Sequence, residues 1–202
     1  GDSDPISLEK IRQIPTMSGI VSAVYDVKPG GVWSEESILA IKSKAEANGL
    51  EFEVVESVPV PEEIKYGGEN APRLIEAYCE NIRRLGKAGV KCICYNFMPV
   101  FDWTRSRLDA PLDDGSNALV YYKEDVDKMD PTKMTLPGWD ASYSPDEISG
   151  LVAQYKELGE EGLWKNLEYF IKEIIPVAAE SGVNMAIHPD DPPWGIFGLP
   201  RV

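Results

Sequence analysis

The run GVNMAIHPD, residues 182–190, decides the fold. A glycine ends a segment patterned as a helix, an apolar stretch from Val183 to Ile187 follows, and the run closes in His188 and Asp190. Glycine is the residue that most readily takes the left-handed turn at a helix C-terminus. A short apolar run after such a turn reads as a buried strand. The same order occurs twice earlier, where Gly49 leads into LEFEVVES and Gly89 into VKCICYNF. The sequence before each glycine carries helical spacing. Ser34 caps a helix to Asn48 with Ile38, Ile41 and Ala45 on one face; Leu74, Tyr78, Ile82 and Leu85 mark a second over 71–88; Leu167, Phe170, Ile171, Ile174 and Ala178 mark a third over 163–181. Strands alternating with helices in this phase predict a parallel sheet of βα units with right-handed connections.

Upstream, Ser7 caps a short helix carrying Leu8, Ile11 and Ile14 before Pro15, after a turn at Asp2, Asp4 and Pro5. Gly19–Tyr25 is rich in β-branched residues and reads as the first strand. Residues 98–162 are too long for a connection and read as an insertion with short helices of its own. It carries turn signals at Asp113-Asp114-Gly115 and Leu136-Pro137-Gly138-Trp139, and a capping box at Ser144-Pro145-Asp146-Glu147.

The strand ends carry the chemistry. The apolar runs finish in Tyr25-Asp26, Glu56-Ser57, Tyr95-Asn96 and His188. In a parallel sheet these ends share one rim, where barrels and open α/β sheets place their sites. Period-two alternation puts Val54, Cys94 and Ala186 on the face of Glu56, Asn96 and His188. Any one of these groups could instead mark where a strand meets solvent, and a lone histidine in a turn often caps backbone carbonyls. Four strands make half of an eight-stranded barrel, with an apolar edge left unpaired; the alternative is an open four-stranded α/β domain.

Composition bounds the partners. The chain is 43% hydrophobic and 27% charged, a globular balance. Its net charge of −14 repels nucleic acid and anionic membrane. An anionic substrate would therefore need a local positive feature, a metal or a few arginines. No apolar run approaches a membrane span, and no signal-peptide pattern opens the chain. Three cysteines without regular spacing predict free thiols in a reducing, cytosolic protein. Cys92 and Cys94 point to one face of a strand and read as small core residues, not zinc ligands.

The runs ESVPV (56–60), CYNFMPVFDWTR (94–105), LPGWD (136–140), NLEYFIKEIIPVA (166–178) and IHPDDPPWGIFGLPR (187–201) resemble the mannonate dehydratase family. The resemblance spans essentially the whole chain. It implies a (β/α)8 TIM barrel of the xylose-isomerase-like kind, about half of it present in residues 1–202 as one partial barrel domain with an insertion at 98–162. It implies dehydration of D-mannonate to 2-keto-3-deoxy-D-gluconate in hexuronate catabolism. The implied cofactor is a divalent metal, Mn2+ or another such as Fe2+, and the implied assembly is a homo-oligomer, a dimer. His188 matches the family's first metal-ligand position. The further ligands (a cysteine, a histidine and an aspartate) belong to later strands, and an aromatic strand normally precedes the residue matching Gly1. Residues 1–202 alone are therefore expected to be inactive, with the general acid and base elsewhere.

Chemistry assigns the remaining candidates. Glu56 can bond substrate hydroxyls or move a proton. Asn96 offers a donor and an acceptor to a polyol. Arg105 suits a carboxylate through its fork; its other role is an ion pair with Asp102. Trp103 and Trp194 can wall a pocket. Asp190 contacts substrate, or with Asp191 orients the second ring nitrogen of His188; both are otherwise solvated turn residues. A metal-dependent sugar isomerase or epimerase on the same barrel is the competing enzyme.

Overall fold

In this computed structural model, residues 4–131 and 143–202 are described, so Asp2 and the expected turn at 136–139 lie outside the described residues, while the turn at Asp4 and Pro5 is present, with Ile6 N–H donating to Asp4 Oδ1 at 2.8 Å. The chain divides into two compact units. The first is Gly1–Phe97 with Asn166–His188, the second Met98–Lys165 with Pro189–Val202.

The first unit holds a four-stranded parallel sheet of β1 (Gly19–Ser22), β2 (Glu51–Glu56), β3 (Cys92–Tyr95) and β6 (Asn184–Ile187), in that spatial order. Its helices are α1 (Leu8–Arg12), α2 (Glu35–Glu46), α3 (Glu62–Tyr66) and α4 (Ala71–Lys87). The three glycines that mark the repeat do the same work. Gly49, Gly89 and Gly182 have φ of 68°, 91° and 68°. The residue after each donates to the carbonyl five positions back: Leu50 to Ala45 (3.1 Å), Val90 to Leu85 (3.0 Å) and Val183 to Ala178 (2.9 Å). This closure satisfies an orphan carbonyl and turns the chain into the next strand. The turn repeats because the sequence repeats.

One sheet face is well buried. Val55, Ile93, Tyr95 and Phe97 are at most 5% exposed. Against them lies the C-terminal part of α6 (Pro145–Glu180), whose stripe of Leu167, Phe170, Ile174 and Ala178 is buried. Phe170 meets Tyr78, Tyr95 and Phe97 with ring centroids 5.0, 5.6 and 5.8 Å apart. The helices expected from Ser144 and from residue 163 form one element, broken by the non-helical Gly159 (φ 68°, ψ −179°). The capping box is present: Glu147 N–H donates to Ser144 Oγ (3.3 Å) and Ser144 N–H to Glu147 Oε2 (2.7 Å).

Two elements depart from expectation. α3 falls between β2 and α4, where the sequence pattern predicts no helix; five residues are too few to show a period, and prolines and glycines flank it. The insertion holds more than helices. β4 (Arg107–Pro111) and β5 (Asn117–Val120) pair antiparallel in the second unit, before the short α5 (Lys123–Val126). The signal Asp113-Asp114-Gly115 is their turn, with Gly115 at φ 84° and Leu112 N–H donating to Ser116 O at 2.8 Å. All three cysteines are free. Among the described residues no helix is long and apolar enough to cross a membrane.

Candidate active site

Register places the first group of candidates. Glu56 pairs with Cys94, and Cys94 with Ala186. These three side chains share one face of the sheet, opposite the face packed on α6. Asn96 and His188 lie two residues beyond Cys94 and Ala186 on the same face. His188 N–H donates to Tyr95 O at 2.7 Å, so the ladder continues past Ile187 and fixes the histidine backbone. Glu56 and His188 are exposed and Asn96 is half-buried. The sheet thus brings Glu56, Asn96 and His188 together along one rim. Burial pushes the Cys94 thiol up, and the neighbouring Glu56 carboxylate and Cys92 add to that rise. Cys94 is therefore a protonated, weakly nucleophilic floor between the acid and the amide.

Trp103, Arg105 and Asp190 belong to the second unit. There the segment 98–105 and the C-terminal segment are sewn together. The Arg105 guanidinium donates to both carboxylate oxygens of Asp191, at 3.0 and 2.8 Å, and lies 5.5 Å over the Trp103 ring. The carboxylate partner of Arg105 is thus Asp191, not Asp102; a bidentate fork needs a planar carboxylate in line. Asp190 is 6% exposed, and its Oδ2 accepts the Val202 N–H at 3.0 Å. Neither aspartate is a solvated turn residue. Arg201, also buried, donates to Pro99 O (3.2 Å) and Phe101 O (2.9 Å). Those two carbonyls flank Val100, whose φ of 59° is unusual for a β-branched residue and is held by its surroundings. Trp194 is half-exposed and donates from Nε1 to Tyr121 Oη (3.2 Å).

Sequence reasoning missed Asn81 and Arg84 on α4, which bond the backbone of the loop after β1. The available signal was a polar residue, Asn81, inside an otherwise apolar helical stripe. Among the described residues no group of three or more His, Cys, Asp or Glu side chains is placed to hold a metal. His188 offers one imidazole, so these residues do not by themselves make a metal centre.

A parallel run of βα units that gathers a carboxylate, a carboxamide and an imidazole at its strand ends is the arrangement of an α/β enzyme domain. Comparison with known proteins narrows that class. The family model described as D-mannonate dehydratase (UxuA) matches residues 1–202, and the chain belongs to that family. It is 53% identical over 204 residues to a mannonate dehydratase of Oceanobacillus iheyensis, covering all of this chain and 58% of that protein. It is 55% identical over 205 residues to one from Streptococcus suis, covering 56% of it. The crystal structure of mannonate dehydratase from Streptococcus suis serotype 2 superposes with a TM-score of 0.91 at 52% identity, over all of this chain and 55% of that one. The chain spans somewhat over half the length of these relatives.

Proposed function

We propose that the intact protein containing this chain is a mannonate dehydratase, which removes water from D-mannonate to give 2-keto-3-deoxy-D-gluconate. The observation that carries this is similarity without gaps in coverage: the whole chain matches the family, at 52–55% identity to named enzymes and one solved structure. The rim supports it. Glu56 and Asn96 offer an acceptor and a donor–acceptor pair to the hydroxyls of a sugar acid. Trp103, Arg105 and Asp190 of the second unit are proposed as further substrate contacts on their chemistry: a flat ring, a guanidinium fork and an acceptor.

The sheet is proposed to be part of a (β/α)8 barrel. Its strand order rises without reversal, and β1 and β6 are its outer strands. A groove of 1210 Å³ runs beside β1, lined by Ile6, Ile11, Ile20, Val21 and Ile41. For the cofactor, Mn2+ or Fe2+ is proposed with His188 as one ligand and the other donors outside the described residues. When bound, such an ion stabilises negative charge at a substrate carboxylate. A cytoplasmic homodimer completes the proposal; the free thiols agree with a reducing compartment.

The test is the intact protein with D-mannonate, with and without added Mn2+, followed by release of the keto-deoxy acid. Product formation that needs the metal is the expected result. His188→Ala is expected to lose bound metal and turnover together. A variant that keeps its metal content and its rate removes His188 from the ligand set, and absence of product from the wild type removes the proposal.

A further inference from the structure

The rim loops of the first unit are not held by their own contacts alone. Along α4, Tyr78, Asn81, Arg84 and Lys87 recur every third residue, so each neighbours the next along a ridge that winds round the helix. Each reaches a loop or helix start that follows a strand. Tyr78 Oη donates to Val58 O (3.2 Å), in the loop that follows Glu56. Asn81 uses both ends of its carboxamide: Oδ1 accepts the Trp33 N–H (2.7 Å), and Nδ2 donates to Gly31 O (3.0 Å). Arg84 Nη1 donates to Trp33 O (2.8 Å). Lys87 Nζ pairs with Glu35 Oε1 (2.8 Å), in the first turn of α2.

Asn81 is 3% exposed and Trp33 is 1% exposed, so these bonds replace water that cannot reach the backbone. The loop they hold is tight. A Cβ on Gly31 would stand 2.5 Å from Val27 Cγ1, and one on Gly30, at φ 85°, would stand 2.8 Å from Leu74 Cδ2. What the loop carries matters for the rim. Ser22, the last residue of β1, pairs with Val55, so Ala23, just past the strand, comes level with Glu56; the chain then continues as Tyr25-Asp26, both exposed. Tyr25 and Asp26 therefore enter the rim beside Glu56 on a segment whose far end is pinned by α4.

We propose that Asn81 is a positioning residue, which with Arg84 sets the loop 26–33 so that Tyr25 and Asp26 complete the substrate-binding rim beside Glu56. This rests on the proposed dehydratase function for its activity readout, but not for its structural one. In the intact protein, Asn81→Leu keeps the side-chain volume and removes both bonds. Exchange of the Trp33 amide hydrogen is expected to rise about tenfold or more, a lost buried hydrogen bond, while amides in the middle of α4 stay protected. The kcat/KM for D-mannonate is expected to fall roughly tenfold or more, as misplacement of binding groups does, with KM carrying most of the change.

Asn81→Asp keeps the acceptor for Trp33 N–H and loses the donor to Gly31 O. It is expected to retain Trp33 protection and to recover most of the kcat/KM, which a role in packing alone would not produce. Equal kcat/KM in the two variants, or unchanged Trp33 exchange in Asn81→Leu, overturns the proposal. Should Asn81→Leu not fold, Arg84→Met removes the donor to Trp33 O from a partly exposed side chain; exchange within 26–33 must rise and kcat/KM must fall, or the proposal fails. A wild type that makes no keto-deoxy acid refutes the dehydratase reading. A dehydrating wild type whose loosened variants keep full kcat/KM refutes the positioning role alone.

Discussion

Phe170 ties the core to the rim, and its truncation gives the sharpest energetic prediction. The ring is fully buried and touches Tyr78, Tyr95 and Phe97, two of the pairs meeting edge to face at 81° and 69°. Phe→Ala in a packed core costs about 3–5 kcal/mol, from lost transfer energy and the cavity left behind. Edge-to-face pairs add about 0.5–1.5 kcal/mol each beyond burial. Two such pairs place Phe170→Ala at the upper end, about 5 kcal/mol, comparable with the whole stability of a small domain. Phe170→Leu keeps most of the volume and loses only ring geometry, so about 1–2 kcal/mol is expected. Tyr95 and Phe97 bracket Asn96 in sequence, so under the proposed dehydratase function the Leu variant should also lower kcat/KM for D-mannonate by loosening the end of β3. Urea denaturation of the intact protein measures the first effect, through the midpoint at constant slope. The reasoning is refuted if Phe170→Ala costs under about 1 kcal/mol, or if the Ala and Leu variants lie within about 0.5 kcal/mol of each other, since the cavity and ring contributions would then not be those of a close-packed site.

Other expectations follow from single contacts. A double-mutant cycle with Arg105→Gln and Asp191→Asn should give a coupling of about 1 kcal/mol, because the pair is bidentate but partly exposed, and the coupling should shrink in high salt. A coupling within about 0.2 kcal/mol of zero would remove the pair from the account of the second unit. Alkylation of Cys94 should follow a titration above the ordinary thiol range, owing first to burial and then to Glu56. Its pKa is raised on folding, so the associated stabilisation is present below the unfolded thiol's pKa and fades as pH rises through the folded one. Glu56→Gln should move the alkylation midpoint down; an unmoved midpoint would mean that the acid does not act on the thiol. Asn166→Ala removes a donor at 2.9 Å from Lys65 O and should cost about 1 kcal/mol, with faster amide exchange confined to residues 62–68. Exchange spread over the whole sheet would show that Asn166 supports more than that loop.

What could be read in the sequence was whatever the backbone dictates locally. Gly49, Gly89 and Gly182 announced three helix ends because a left-handed residue there excludes most side chains. The strands after them announced themselves by buried apolar runs, and their register then followed for Glu56, Cys94 and Ala186. Features that depend on distant partners were not legible. The bond from Arg105 to Asp191 spans 86 positions, and that from Asn81 to Trp33 spans 48. β4 and β5 were hidden because they are short: exposed and more buried positions alternate along each, but over only five and four residues, one of them a proline, and the apolar spacing of NALV does not follow that alternation.

The choice between a barrel and an open sheet, which the sequence leaves unsettled, turns on where the helices go. A doubly wound sheet covers both faces by reversing its strand order partway, which sends successive right-handed crossovers to opposite sides. The order β1-β2-β3-β6 has no reversal, so right-handed crossovers place every connecting helix on one face. Burial agrees. Val55, Ile93 and Tyr95 are sealed under helices, whereas Val54, Cys92 and Cys94 on the other face are only half-buried, and Asn184 and Ala186 are exposed. An open sheet that left small apolar side chains half-wet along one face would forgo hydrophobic stabilisation for no gain. Small residues on the uncovered face suit the inside of a closed barrel, where facing strands leave little room. The same asymmetry fits the place of Glu56, Asn96 and His188 on the uncovered side: in the proposed barrel that side would become the enclosed mouth, where a rim of polar groups suits the sugar acid of the proposed function.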